Sequence, residues 1–127
     1  MKQEQKDLLL KDLCARLPYR VKCVSGVDDT TLVINGINPE CCGASEVQVT
    51  YERSRINFDT TISAIKLYLF PLSSMNEEQL LELTSISFEN SIDSSIKTLN
   101  WCYKNHLDIN NLIPMGLAID CTNLNIY

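Results

Sequence analysis

Two adjacent cysteines, Cys41 and Cys42, and one histidine, His106, are the residues of this sequence best suited to covalent chemistry. A nucleophilic cysteine needs a base or nearby positive charge that lowers the pKa of its thiol. The chain contains a single histidine, and Glu40 next to the cysteine pair has the wrong charge to activate it. We therefore expect structural thiols here, and a Cys–His hydrolase is an alternative function.

A zinc site is the second chemistry that cysteines suggest. Structural zinc needs four ligands, which commonly arrive as C-x-x-C pairs on tight turns. The sequence has no C-x-x-C or H-x-x-x-H motif, and the set that remains is Cys41, Cys42, His106 and Cys121. Because adjacent cysteines rarely bind one ion, we predict no metal and no cofactor, with metal-assisted hydrolysis kept as an alternative.

Carboxylate pairs and glycines offer no stronger signal for catalysis. Asp28-Asp29 is typical of a turn and Glu77-Glu78 of a helix start, while Asp120 follows a short apolar run and is expected on the surface. The four glycines are isolated and form neither a G-x-G-x-x-G motif nor a P-loop. This pattern argues against an NTPase, a kinase or a dinucleotide enzyme.

The charge of the chain argues against general nucleic-acid binding. The formal net charge is −5, whereas phosphate-backbone affinity comes mainly from Lys and Arg. Arg16, Arg20 and Lys22 form a local basic group, which we expect on a solvated face. The sequence has no run of 18 apolar residues, and its first residues are polar and mixed in charge, so we predict a cytoplasmic protein without a membrane segment, whose six cysteines are free thiols.

Periodicity predicts the elements of the first half. Apolar residues at helical spacing predict an amphipathic helix over 3–17, ended by Pro18. Its apolar stripe is Leu9, Leu10, Leu13, Cys14 and Leu17, and its polar side is Lys6, Asp7, Lys11, Asp12 and Arg16. Strands are predicted near 19–25, 30–35 and 46–51, with Asn35-Gly36 as a turn, and their short connections favour an antiparallel meander.

The second half is predicted to be mainly helical. Residues 60–70 fit both a strand and a helix, and we favour irregular or one-turn helical structure leading into an extended segment over 68–71. Ser74 and Glu77 have the spacing of a capping box that begins a helix near 75–83. A second helix near 92–106 carries the stripe Ile92, Ile96, Leu99 and Tyr103, and a strand over 117–121 is a further prediction.

Aromatic and apolar residues near the C-terminus are the best candidates for an interface. Trp101 lies off the helical stripe, so it is either an interface anchor or a residue packed beneath a loop or the tail. Tyr103 lies on the stripe. The tail alternates apolar residues, which would let it add a strand to this sheet or a partner's. The predicted interface residues are Trp101, Tyr103, Leu124, Ile126 and Tyr127.

Three segments of the sequence carry a resemblance: EQKDLLLKDLCARLPY at 4–19, YLFPLSSM at 68–75 and NHLDINNLIPMGLAID at 105–120. They resemble a group of small uncharacterised proteins of gut Bacteroidetes and of their phages and prophages. The resemblance covers both ends and the middle of the chain but not residues 24–63. It implies a cytosolic accessory protein, located in the host cytoplasm if phage-encoded, and it implies no activity.

Together these patterns predict an α+β fold in a single domain over 1–127, with a short antiparallel β-meander of three to four strands packed against two or three helices. We expect a non-enzymatic interaction module, a phage or mobile-element accessory protein that binds a protein partner. The alternatives are the hydrolase that uses Cys41 or Cys42 with His106, and a phage protein that sequesters a small nucleotide signal.

Overall fold

The computed structural model describes residues 2–25, 30–37, 47–88 and 91–127. Over these ranges the protein is α+β, as predicted, with three α-helices and a six-stranded sheet. The helices are α1 (Gln3–Arg16), α2 (Glu77–Ser87) and α3 (Ile92–Lys104). The strands are β1 (Lys22–Ser25), β2 (Thr31–Ile37), β3 (Val47–Tyr51), β4 (Asn57–Thr60), β5 (Ile65–Leu69) and β6 (Ala118–Asp120).

The sheet extends the predicted meander by further strands. Its order is β4-β3-β2-β1-β5-β6, in which β5 and β6 are parallel and every other pair is antiparallel. Residues 60–70 contain both candidate structures, a single 3-10 turn at Ile62–Ala64 and then the strand β5. The preference for irregular structure was therefore wrong over 65–67, where the strand begins earlier than predicted because Ile65, Leu67 and Leu69 are buried together.

Helix α1 covers one face of the sheet, here called the core face. Leu9 and Leu13 of α1 pack against buried side chains from five strands and the following loops. The strand residues of this cluster are Cys23, Leu32, Ile34, Val47, Val49, Ile65, Leu67, Leu69 and Ala118. Alternation places the remaining side chains on the opposite face, here called the outer face.

The predicted polar side of α1 was wrong at two positions. Asp12 and Arg16 are fully buried, whereas Cys14 of the predicted apolar stripe is exposed. Arg16 Nε donates to Asp12 Oδ1 at 2.5 Å, and Arg16 Nη2 donates to Asp12 Oδ2 at 3.1 Å. Nη2 also donates to the carbonyl of Leu107 at 2.6 Å, and Asn110 Nδ2 donates to Asp12 Oδ2 at 2.8 Å. The ion pair thus fastens α1 to the loop after α3.

Two predicted boundaries of the strands are corrected. The pair Asn35-Gly36 is not a turn, because β2 continues to Ile37 and the pairing register with β3 shifts between Ile34 and Gly36. Such a shift is a β-bulge, which keeps the strand paired while bending it. At the other end, β1 begins only at Lys22, since a 3-10 turn at Leu17–Tyr19 precedes it.

Helix α2 begins two residues later than the predicted capping box requires. Asn76 is the N-cap: its Oδ1 accepts from Gln79 N at 2.8 Å, and Gln79 Oε1 accepts from Asn76 N at 3.1 Å. Ser74 instead ends a short 3-10 turn, where its hydroxyl donates to the carbonyl of Pro71. The acidic pair Glu77-Glu78 does occupy the first turn, as predicted.

Three residues of the apolar stripe of α3, Ile92, Ile96 and Leu99, face outward, whereas a core position is usual for such a stripe. Tyr103 is half-buried. The helix buries Ser94, Trp101 and Cys102 instead, and Ser94 Oγ donates to the carbonyl of Ile86 in α2. Trp101 and Cys102 form a small cluster with Leu107 and side chains of α2 and the flanking loops. Helices α2 and α3 therefore pair through the face of α3 opposite to its stripe.

The C-terminal tail packs on the outer face and forms no strand beyond Asp120 in the part of the chain that is described. Tyr127 Oη donates to the carbonyl of Tyr68 at 2.9 Å and accepts from Lys22 N at 2.8 Å. Ile126 packs against the buried Val24–Tyr68–Cys121 cluster. Within the described ranges the tail therefore adds no strand to this sheet, and pairing with a partner's sheet stays a prediction. No described helix has both the length and the apolar composition needed to cross a membrane.

Candidate functional site

His106 lies at the turn that follows α3, in a left-handed conformation with φ of 57°. Its carbonyl accepts from Phe70 N at 2.8 Å, which ties this turn to the end of β5. Its ring stacks on the ring of Tyr127, with centroids 3.7 Å apart and an interplanar angle of 12°. His106 therefore joins the α3 turn to the tail, at the edge of a cleft of about 300 Å³.

The electrostatic setting of His106 favours its neutral form. Burial, followed by the charges of Arg16 and Lys22, lowers the pKa of His106 from 6.5 to about 4. Its Nδ1 is buried and has no hydrogen-bond partner among the described residues. An imidazole with so low a pKa is a weak base at neutral pH, and it lacks the charge that would stabilise a thiolate.

Three of the four described cysteines are buried and structural in character, whereas Cys14 is exposed. Burial raises the pKa of Cys23 to about 12 and that of Cys121 to about 11, and it also raises the pKa of Cys102. Cys41 and Cys42, the nucleophiles of the alternative hydrolase, lie outside the described residues. Within ranges 2–25, 30–37, 47–88 and 91–127, no group of three His, Cys, Asp or Glu residues is placed to hold a metal ion.

The structure distributes the five predicted interface residues over different environments. Trp101 is 8% exposed and lies in the α2–α3 cluster, which supports the packing interpretation rather than the anchor. Tyr103 is half-buried, with the Arg16 guanidinium 4.9 Å from its ring centroid. Leu124 is exposed, whereas Ile126 and the ring of Tyr127 pack on the outer face and the α3 turn.

The main exposed apolar surface of α3 is the stripe itself. Ile92 is 81% exposed, Ile96 is 52% and Leu99 is 49%, and these residues with Tyr103 are called the α3 stripe below. The sequence predicted all four as one helical stripe but placed only Tyr103 among the interface residues. The same helix has a second apolar face, formed by Trp101 and Cys102, that competes with the stripe for the interior. This second face is the signal in the sequence that could have indicated an exposed stripe.

A larger cleft of about 720 Å³ lies on the outer face over β2, β3 and β4. It is called the sheet cleft below. Its lining is mostly polar and includes three basic side chains and one carboxylate. The lining residues are Arg20, Lys22, Val33, Asn35, Gln48, Thr50, Tyr51, Glu52, Arg55 and Asn57.

The three residues predicted as one basic group, Arg16, Arg20 and Lys22, do not all lie in the sheet cleft. Arg16 is buried behind the core face, while Arg20 and Lys22 line the cleft with Arg55, which the sequence pattern did not connect to them. Asp120 lies exposed at the end of β6, where hydrogen bonds from Thr122 lower its pKa. No family model, curated protein or solved structure matches this chain.

Proposed function

We propose that this protein is a non-enzymatic interaction module that associates through the α3 stripe. The observation that carries the proposal is a contiguous row of large apolar side chains on the solvent side of α3. Monomeric soluble proteins rarely expose contiguous apolar surface of this kind, and such patches mark interaction sites. The resemblance of the chain to small Bacteroidetes and phage proteins favours a cytoplasmic accessory role.

The partner that fits the α3 stripe is a second copy of the chain, packed antiparallel. The stripe is symmetric about its midpoint, so an antiparallel pair sets Ile92 opposite Tyr103 and Ile96 opposite Leu99. A two-fold interface requires such self-complementarity, because the same patch serves both subunits. Side chains at i, i+4 and i+7 also form a ridge on the helix surface, and the ridges of two such helices can pack into each other's grooves.

Charges beside the stripe support the same arrangement. Asp93 lies in the first turn of α3 and Lys104 in the last, eleven positions apart, which is close to three full turns. They therefore lie on the same side of the helix. In an antiparallel pair, Asp93 of each copy faces Lys104 of the other, and opposite charges at this spacing favour the pairing.

The test is the association state of paired variants. We expect the native chain to dimerise with a Kd of about 10–100 µM, since a single-helix interface lies at the small end of specific interfaces. The double variant Ile92→Ser with Ile96→Ser should weaken association at least about tenfold, because it removes two of the apolar side chains that the interface buries. Sedimentation equilibrium over a concentration series measures this.

The matched control is Leu81→Ser, which removes a 72%-exposed leucine from the α2 surface instead. It should leave the association constant unchanged. A charge swap adds a second control: Asp93→Lys should weaken the dimer, and Asp93→Lys combined with Lys104→Asp should restore it. A native chain that stays monomeric at several hundred micromolar, or equal effects of Leu81→Ser and the stripe variant, would contradict the proposal.

The hydrolase that uses Cys41 or Cys42 with His106 stays a prediction of the sequence. The low pKa of His106 weighs against the hydrolase, because a general base is most effective when its own pKa lies near the operating pH. Thiol labelling followed by mass spectrometry distinguishes the two functions. A hyper-reactive Cys41 or Cys42 would favour the hydrolase.

A further inference from the structure

The sheet cleft combines free positive charge with a polar wall, in a chain whose net charge is negative. Its one carboxylate, Glu52, accepts from Lys22 Nζ at 2.6 Å, so that charge is already neutralised. The guanidinium groups of Arg20 and Arg55 have no hydrogen-bond or ion-pair partner among the described residues, and both residues are exposed. Two guanidinium groups therefore remain available to an anion.

The backbone under these two arginines is held in a conformation that arginine seldom adopts. Arg20 has φ of 55° and Arg55 has φ of 57°, in the left-handed region that favours Gly or Asn. Turn hydrogen bonds maintain both, from Arg20 N to the Leu17 carbonyl and from Arg55 N to the Tyr51 carbonyl. Residues held in such sparsely populated conformations cluster at ligand sites.

The polar wall supplies uncharged donors and acceptors. Asn57 Oδ1 accepts from Thr50 Oγ1 at 2.5 Å and from Asn35 Nδ2 at 3.4 Å, which leaves the Asn57 amide nitrogen to donate. Gln48 has no side-chain partner among the described residues. Val33 is buried beneath these groups and forms an apolar floor.

We propose that the sheet cleft binds a small organic phosphate of the nucleoside monophosphate class. Arg20 and Arg55 would bind the phosphate, because guanidinium forks match its oxygens in charge and geometry. The amides of Gln48 and Asn57 would hydrogen-bond to the polar edge of the base, with Val33 beneath it. A volume of about 720 Å³ accommodates a ligand of this size.

Nucleic acid and protein fit the sheet cleft less well. An extended phosphate backbone needs several dispersed cations, whereas this surface concentrates its free charge at two arginines on a protein of net charge −5. A peptide-binding groove would need apolar anchor pockets. Among the lining residues, only Val33 and Tyr51 offer substantial apolar surface.

The test is an NMR titration of the full chain with adenosine 5′-monophosphate, cytidine 5′-monophosphate, ribose 5-phosphate and unphosphorylated adenosine. We expect a nucleoside monophosphate to bind with a Kd below about 1 mM, to shift the amide signals of Gln48, Thr50 and Asn57, and to bind at least about tenfold more tightly than adenosine. Binding should weaken as salt increases, because the contact is ionic.

The variant Arg20→Asn with Arg55→Asn removes both charges while keeping a residue that tolerates positive φ, so the fold should persist. It should weaken nucleotide binding at least about tenfold. The variant Lys11→Gln with Lys66→Gln removes the same charge from exposed positions outside the cleft and should bind normally. Absence of binding by both nucleotides, equal affinity for adenosine, or equal loss in the two variants would overturn the proposal.

Discussion

Arg16 is the residue at which sequence reasoning and structure differ most. It is fully buried, its guanidinium makes three hydrogen bonds, and its Nη1 has no partner among the described residues. The ring of Tyr103 lies alongside it. One side chain therefore connects α1, α3 and the loop that contains Leu107.

Removal of one partner of this ion pair should be costly. We expect Arg16→Met to lower the free energy of unfolding by about 3–5 kcal/mol, because Asp12 would keep a buried charge without its counter-ion. The double variant Asp12→Leu with Arg16→Met should regain most of that loss. Urea unfolding of the three proteins measures both effects, and equal instability of the single and double variants would contradict this account.

The sequence could not predict the burial of Asp12 and Arg16. Opposite charges at i and i+4 are the usual pattern of an exposed helix face. The groups that satisfy the pair, Leu107 and Asn110, follow Asp12 by more than ninety positions. Only the tertiary fold brings them together, so a local pattern carries no signal of this site.

His106 should make the stability of the protein depend on pH. Its pKa is about 4 in the folded chain and about 6.5 when unperturbed, so the unfolded chain binds an extra proton between these values. Stability is therefore fully present above pH 6.5 and decreases as pH falls toward 4. Urea unfolding of the native chain between pH 7 and 4.5 should show this decrease.

The variant His106→Asn is the control for this pH effect, because Asn tolerates positive φ and does not titrate. Carboxylates titrate in both proteins, so the informative quantity is the difference between the two pH profiles. The native chain should lose more stability than the variant over this range. Identical profiles would mean that His106 does not respond in this way.

At the scale of elements, two residues are candidate N-caps of α2: Asn76, which the structure shows, and Ser74, which the sequence predicted. Asn76→Ala should lower the free energy of unfolding by about 1 kcal/mol, because it removes the acceptor for Gln79 N at the first turn. Ser74→Ala should cost less than about 0.5 kcal/mol, since it removes a partly buried side-chain hydrogen bond in a turn and no helix cap. Thermal or urea unfolding compares the two. The reverse order would restore Ser74 as the cap.

The elements that alternate or repeat clearly were predictable, and those with two competing patterns were not. The alternation of Val47, Val49 and Tyr51 correctly predicted β3 and its buried face. In α3 the stripe and the Trp101–Cys102 pair offer two apolar faces, and the choice between them depends on α2. In β2 the bulge at Gly36 continues a strand where the local residues indicate a turn.

At the scale of the molecule, the two proposed surfaces come from different parts of the fold. The α3 stripe lies on one helix, so the sequence contained all its members in one short segment. The sheet cleft combines the α1–β1 connection, β2, β3 and the β3–β4 turn, so its arginines meet only after the meander forms. The α+β class was therefore predictable, whereas the cleft was not.

The parallel pairing of β5 with β6 imposes an order on folding. Strands β1 to β4 form by successive hairpins, but β6 reaches β5 only after roughly 50 intervening residues, with α2 and α3, have folded back. Until then the far edge of β5 has unpaired backbone groups beside the apolar residues Leu67 and Leu69. Unpaired edges template pairing with other chains. Refolding at high concentration should therefore be most vulnerable to aggregation at β5, before the last strand closes the sheet.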